Sequence, residues 1–114
     1  MRNVLIFTFL FSFALSAYAT DLEETATTKI SGVQAYSDFG GGDFIFTVEN
    51  SGQVCKGYWL PKETPGTANL IAMVIAAHKA KSSVQVWGHT DEQSRWDGTR
   101  RSHYCKVYSV KDLG

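Results

Sequence analysis

The chain has 114 residues, and its 11 Lys and Arg side chains balance its 11 Asp and Glu, so the formal net charge is zero. That balance speaks against a general nucleic-acid binder, which carries a basic excess. The length suits one domain with a modest core, for which a covalent staple is useful.

Residues 1–19 read as a secretory signal peptide. Arg2 is the only charge before Asp21, residues 4–15 ("VLIFTFLFSFAL") are almost wholly apolar, and Ala17 and Ala19 place small side chains where a signal peptidase reads. A membrane anchor is the competing reading, but the apolar run is about 12 residues, short of the roughly 20 a spanning helix needs. No membrane span is expected in the mature chain, residues 20–114, which would carry one more acidic than basic side chain once Arg2 is lost. Both cysteines, Cys55 and Cys105, fall in this part. An even count in an oxidising compartment reads as one disulfide, and no CxxC motif supports a metal or nucleophile pair.

After a polar lead-in, "TDLEETATTK", residues 30–36 form the first expected strand, with Gly32 as a candidate bulge. "SDFGGGD" is a glycine-rich turn. Phe44, Phe46 and Val48 alternate with Ile45, Thr47 and Glu49 to give a second strand. "NSGQ" is a tight turn, so a third strand over residues 54–60 completes a meander, with Cys55, Gly57 and Trp59 on one face. Pro61 and Pro65 end it, and Thr64 or Thr67 is placed to cap a helix. Leu70, Met73, Val74, Ala77 and Ala80 recur with the helical period, and Ser82 and Ser83 break it. Residues 84–89 and 103–110 are the fourth and fifth strands, with Cys105 and Val107 sharing a face.

Three strands, one helix and two strands match a mainly β (α+β) chain with the five-stranded OB-fold barrel, the helix lying between strands 3 and 4. An α+β sandwich with the helix across one sheet face is the alternative. In an OB-fold the loops after the first and fourth strands, here residues 37–43 and 90–102, flank the ligand. Residues 90–102 hold Arg95, Trp96, Arg100 and Arg101. An indole stacks on a sugar ring, and arginine clamps a carboxylate or phosphate. Tyr36, Ser37 and Asp38, beside Gly40, Gly41 and Gly42, form the opposite lip. The plain alternative is that Trp96 folds back over the barrel end, its arginines solvated or paired with Asp91, Glu92 and Asp97, while the glycine run is a hairpin turn.

Catalytic patterns are missing. There is no GxxxxGK[ST], GxSxG or HExxH motif, and the histidines His78, His89 and His103 have no Cys/His cluster around them. Neither a metal nor another cofactor is expected, and no enzyme; a secreted nuclease would need clustered acidic ligands that the spacing does not offer.

The run of "FIFTVEN", "VCKGYWLP", "ANLIAMVIAAHKA", "SSVQVWG" and "SRWDG" behind a signal peptide resembles the secreted OB-fold B subunits of AB-five toxins, of the subtilase-cytotoxin and typhoid-toxin type. The resemblance covers roughly residues 29–113. It implies a pentameric ring that binds cell-surface glycans. The chain departs from those subunits in having only two cysteines, and no binding residue is carried over. The expectation is a secreted or periplasmic, non-enzymatic glycan-binding module. In it Trp96 and Tyr36 stack on the ligand, and Arg95, Arg100 and Asp38 make polar contacts. The alternative is a periplasmic interaction or inhibitor protein that holds a partner through a loop or a sheet edge.

Overall fold

A computed structural model of the chain describes residues 21–114; the expected signal peptide lies outside the described residues. The described residues are mostly β, with one six-stranded mixed sheet and one α-helix. The strands are β1 (Leu22–Glu24), β2 (Ile30–Ala35), β3 (Phe44–Val48), β4 (Gly57–Leu60), β5 (Val84–His89) and β6 (Tyr104–Asp112). Helix α1 (Thr67–Ala80) lies between β4 and β5, as its apolar period predicts. The order across the sheet is β1-β5-β6-β4-β3-β2. The β4–β6 pair is parallel and every other pair is antiparallel.

The expected count of five strands is corrected to six. The polar lead-in contains β1, three residues that pair with β5 through Leu22–His89 and Glu24–Trp87. No alternation announces so short and acidic a strand. Residues 25–29 then lead from one end of the strand order to the other. The Thr25 and Thr28 N–H groups donate to the Val86 and Val84 carbonyls, and the Lys29 carbonyl accepts from Glu49 N–H, each at 2.9 Å. The sheet itself runs from β1 to β2 and is not a closed ring of five.

The meander β2-β3-β4 forms as read, with the bulge between Ile30 and Gly32. The third strand is shorter than expected. It starts at Gly57, with Tyr58 and Leu60 facing the core, and Cys55, expected on its face with Gly57 and Trp59, is buried just before it. Residues 53–55 are instead held by Glu23, whose carboxylate accepts the N–H groups of Gln53, Val54 and Cys55 at 3.1, 3.0 and 2.9 Å. Replacing Glu23 by Ala leaves three donors without that acceptor; a loss of about 2 kcal/mol is expected in a denaturant melt.

The helix cap also differs from expectation. Gly66 is the N-cap and makes no side-chain cap bond. The Thr67 hydroxyl, one residue inside, donates to the Pro61 carbonyl at 2.7 Å. Leu70, Ile71, Val74 and Ala77 face the core, which also holds Phe44, Phe46, Tyr58, Leu60, Val84, Val86, Val107 and Val110. Met73 and Ile75 stay exposed, so the helix is apolar on its outward side as well.

The disulfide forms between Cys55 and Cys105, both fully buried, with an S–S length of 2.07 Å. Gly88 lies against it. A Cβ at Gly88 would sit 2.8 Å from Cys105 Cβ, 2.9 Å from Tyr58 and 3.2 Å from Cys55 Sγ, so only glycine lets β5 approach the bond.

Tyr58 stacks on Phe46 with ring centroids 5.2 Å apart, and its buried hydroxyl has no hydrogen-bond partner among the described residues. Burial first, and the Glu23 charge second, push its ionisation well above the ordinary value. The folded state therefore holds the proton more tightly than the unfolded chain. The resulting stability is complete below pH about 10, where a free tyrosine titrates, and is lost as pH rises beyond it. Tyr58→Phe is expected to raise stability by about 1 kcal/mol at neutral pH. It should also flatten the alkaline limb of a pH–stability curve, read from urea midpoints between pH 8 and 11.

Candidate functional site

The loops after β2 and β5 meet at one end of the sheet. Residues 37–43 turn through a 3-10 segment, Phe39–Gly41, followed by left-handed Gly42; Gly40, Gly41 and Gly42 all have positive φ. Three such residues in a row require glycine. A Cβ at Gly40 would overlap the Asp43 carboxylate, so the turn wraps tightly over that side chain. Residues 90–103 turn through a second 3-10 segment, Glu92–Ser94. The Ser94 hydroxyl donates to Asp91 at 2.8 Å and holds that carboxyl below its usual range.

Trp96 joins the two loops. Its side chain is buried, with 5% of the residue exposed. Its Nε1–H donates to Asp43 Oδ2 at 2.8 Å, and its backbone N–H donates to the Tyr104 carbonyl at 3.0 Å. Tyr36, Phe39 and Tyr104 surround the indole, with centroids 5.8, 5.7 and 5.5 Å away. A Cβ at Gly98 would overlap the same ring, so the turn at Asp97 and Gly98 folds the chain closely over it. The stacking role expected of Trp96 is therefore corrected. Its faces are occupied by the protein's own aromatics, and it plugs the end of the sheet. A large indole stands in the most polar segment because its partners arrive from residues 36–43 and 104.

The arginines divide. Arg95 is half-buried and engaged: Nη1 contacts Glu92 Oε2 at 3.2 Å, and Nη2 donates to the Arg100 and Ser102 carbonyls at 3.2 and 3.4 Å. It braces its own loop. Glu92 Oε1 is 3.9 Å from His103 Nδ1. Arg100 and Arg101 are exposed, and no hydrogen bond or ion pair involves the Arg100 guanidinium among the described residues.

An open pocket of about 390 Å³ lies on this loop, lined by Glu92, Arg95, Trp96, Asp97, Thr99 and Arg100. Its volume falls in the range of small-ligand sites. Two carboxylates, two guanidiniums and a hydroxyl make it strongly polar, with Trp96 also in the lining. The structure thus brings Arg95, Trp96 and Arg100 together. Tyr36 touches Trp96 but does not line the pocket, and Ser37 and Asp38 are exposed on the other loop, outside it. Glu92, Asp97 and Thr99 carry no sequence signal beyond neighbourhood. Phe39, 45% exposed beside Tyr36 and Trp96, is the aromatic that faces solvent at this end.

Among the described residues no group of three or more His, Cys, Asp or Glu is placed to hold a metal ion, and no helix is long and apolar enough to cross a membrane. Comparisons with protein-family models, with curated proteins and with solved structures found no match.

Proposed function

We propose that the protein is an exported, non-enzymatic binding module whose ligand is a glycan held between the loops 37–43 and 90–103. The polar pocket over the Trp96 plug carries this reading. Sugar hydroxyls pair with carboxylates and guanidiniums at once, and Glu92, Asp97, Arg95 and Arg100 supply both in one cleft. Phe39 takes the stacking role, since its exposed ring, packed against Trp96, offers the apolar face that a pyranose needs. The buried disulfide is in keeping with an extracellular or periplasmic site of action.

The OB-like barrel belongs to this reading. Its support is that β1 and β2 are consecutive in the chain yet stand at opposite ends of the sheet, joined by residues bonded to β5 on one side and to β3 on the other. One bent first strand of that kind would wrap a five-stranded barrel. A toxin-like B subunit acting as a pentamer is favoured by the outward apolar side of α1, with Met73 and Ile75 both exposed.

The test is a glycan array probed with the oxidised protein from residue 20 onward. Binding to a defined glycan set that Arg100→Ala weakens about tenfold, with an unchanged melting temperature, is expected. An array with no signal overturns the glycan assignment, and Arg100→Ala binding like the parent overturns the pocket.

A further inference from the structure

Among the described residues, β2 ends the sheet with a free edge. The Tyr36 N–H donates to the Asp43 carbonyl at 2.9 Å, so the antiparallel alternation turns Gln34 and Gly32 toward β3 and turns the N–H and C=O groups of Val33 and Ala35 outward. Those outward groups have no hydrogen-bond partner among the described residues. Proteins blunt such edges with charge, proline or brevity. The opposite end, β1, follows that rule, with three residues and two glutamates. β2 does not: its six residues, ISGVQA, carry no charge and no proline, and Val33 is exposed.

Beside this edge lies a hollow of about 180 Å³, lined by Gly32, Val33, Gln34, Ile45, Thr47 and the Tyr104 ring among others. The missing side chain at Gly32 opens it. The two ends of the edge differ in charge. Lys29, His78 and Lys81, with Glu49 among them, line a second hollow at the start of β2, while exposed Asp38 follows its end.

We infer that the β2 edge is a second binding surface, distinct from the loop pocket, that takes an extended segment of a partner polypeptide as an added antiparallel strand. Backbone bonds to Val33 and Ala35 give the affinity, and the hollow takes one small branched apolar side chain. Charge sets the direction. The partner's acidic end meets Lys29 and Lys81, and its basic end meets Asp38.

The probe is the peptide acetyl-Lys-Thr-Val-Thr-Val-Thr-Glu-amide, titrated into the isotope-labelled protein and followed by amide NMR. Shifts confined to residues 31–35 and their β3 neighbours are expected, with slowed exchange at the Val33 and Ala35 amides and weaker binding of the charge-reversed peptide. Val33→Pro removes an outward N–H, which an edge strand tolerates, and should weaken binding by about tenfold without lowering the melting temperature. Gly32→Ala, whose added Cβ would meet only Thr47 Oγ1 at 3.4 Å, narrows the hollow in a folded protein and should weaken binding too. Shifts in the loop pocket instead of β2, or equal binding by Val33→Pro and the parent, would overturn the assignment. So would self-association that Val33→Pro abolishes, which gives the edge to a second copy.

Discussion

Replacing Cys55 and Cys105 together by alanine is expected to cost about 4 kcal/mol. The bond closes a loop with a sequence separation of 50, and the chain entropy that it removes from the unfolded state has that size. A domain this small has a total stability of only about 5–15 kcal/mol, so the variant would sit near the threshold of folding. The local packing sharpens the effect. Cys55 leaves the segment that Glu23 grips, Cys105 enters β6, and Gly88 of β5 lies against both. Two emptied sulfur positions there open a void between β5 and the start of β4. A melting temperature within about 5 °C of the parent would contradict this, because a loss of 4 kcal/mol should move it by about 20 °C.

Trp96→Ala is expected to cost about 3–5 kcal/mol, the size of a large aromatic removed from a packed site. The buried location decides this magnitude. An exposed ligand-stacking tryptophan would change stability by no more than about 0.5 kcal/mol. The loss should reach both loops, since the indole contacts Tyr36 and Phe39 on one and is bonded to Asp43 beyond it. Trp96→Phe separates the two contributions. It keeps an aromatic plug but takes the donor from Asp43, whose other carboxylate oxygen already has no partner among the described residues. Leaving that buried carboxylate without its donor is expected to cost about 2 kcal/mol. Chemical denaturation of both variants, with amide exchange followed in residues 37–43, measures the two effects.

Much of the fold is legible in the residues because it is periodic. The alternation in Phe44–Val48 puts Phe44, Phe46 and Val48 in the core, with Ile45 buried on the other face, and the helical spacing from Leu70 to Ala77 follows from one face being buried. The Cys55–Cys105 bond follows from count and compartment. What escapes notice depends on partners far along the chain. β1 is a strand only because β5 supplies its ladder, and "LEE" has no strand pattern of its own. Residues 54 and 55 look like strand but are held as a loop by Glu23, some 30 residues earlier. Trp96 is the sharpest case. Its neighbours are all polar, and the groups that bury it come from residues 36, 39, 43 and 104. Only Gly98, which permits the chain to fold over the ring, gives a local hint. That the two loops meet at one end of the sheet follows from the topology, while the role of Trp96 is set by tertiary packing.

The central claim is that the pocket on residues 92–100, with exposed Phe39 packed against Trp96 from the neighbouring loop, is where a glycan binds. Amide NMR of the labelled protein, titrated with the strongest glycan from the array, tests it most directly. Progressive shifts at Phe39, Arg95, Asp97, Thr99 and Arg100, saturating with one ligand per chain and absent in Arg100→Ala, are the predicted result. Saturable shifts elsewhere on the chain, with this cluster unmoved, would contradict it.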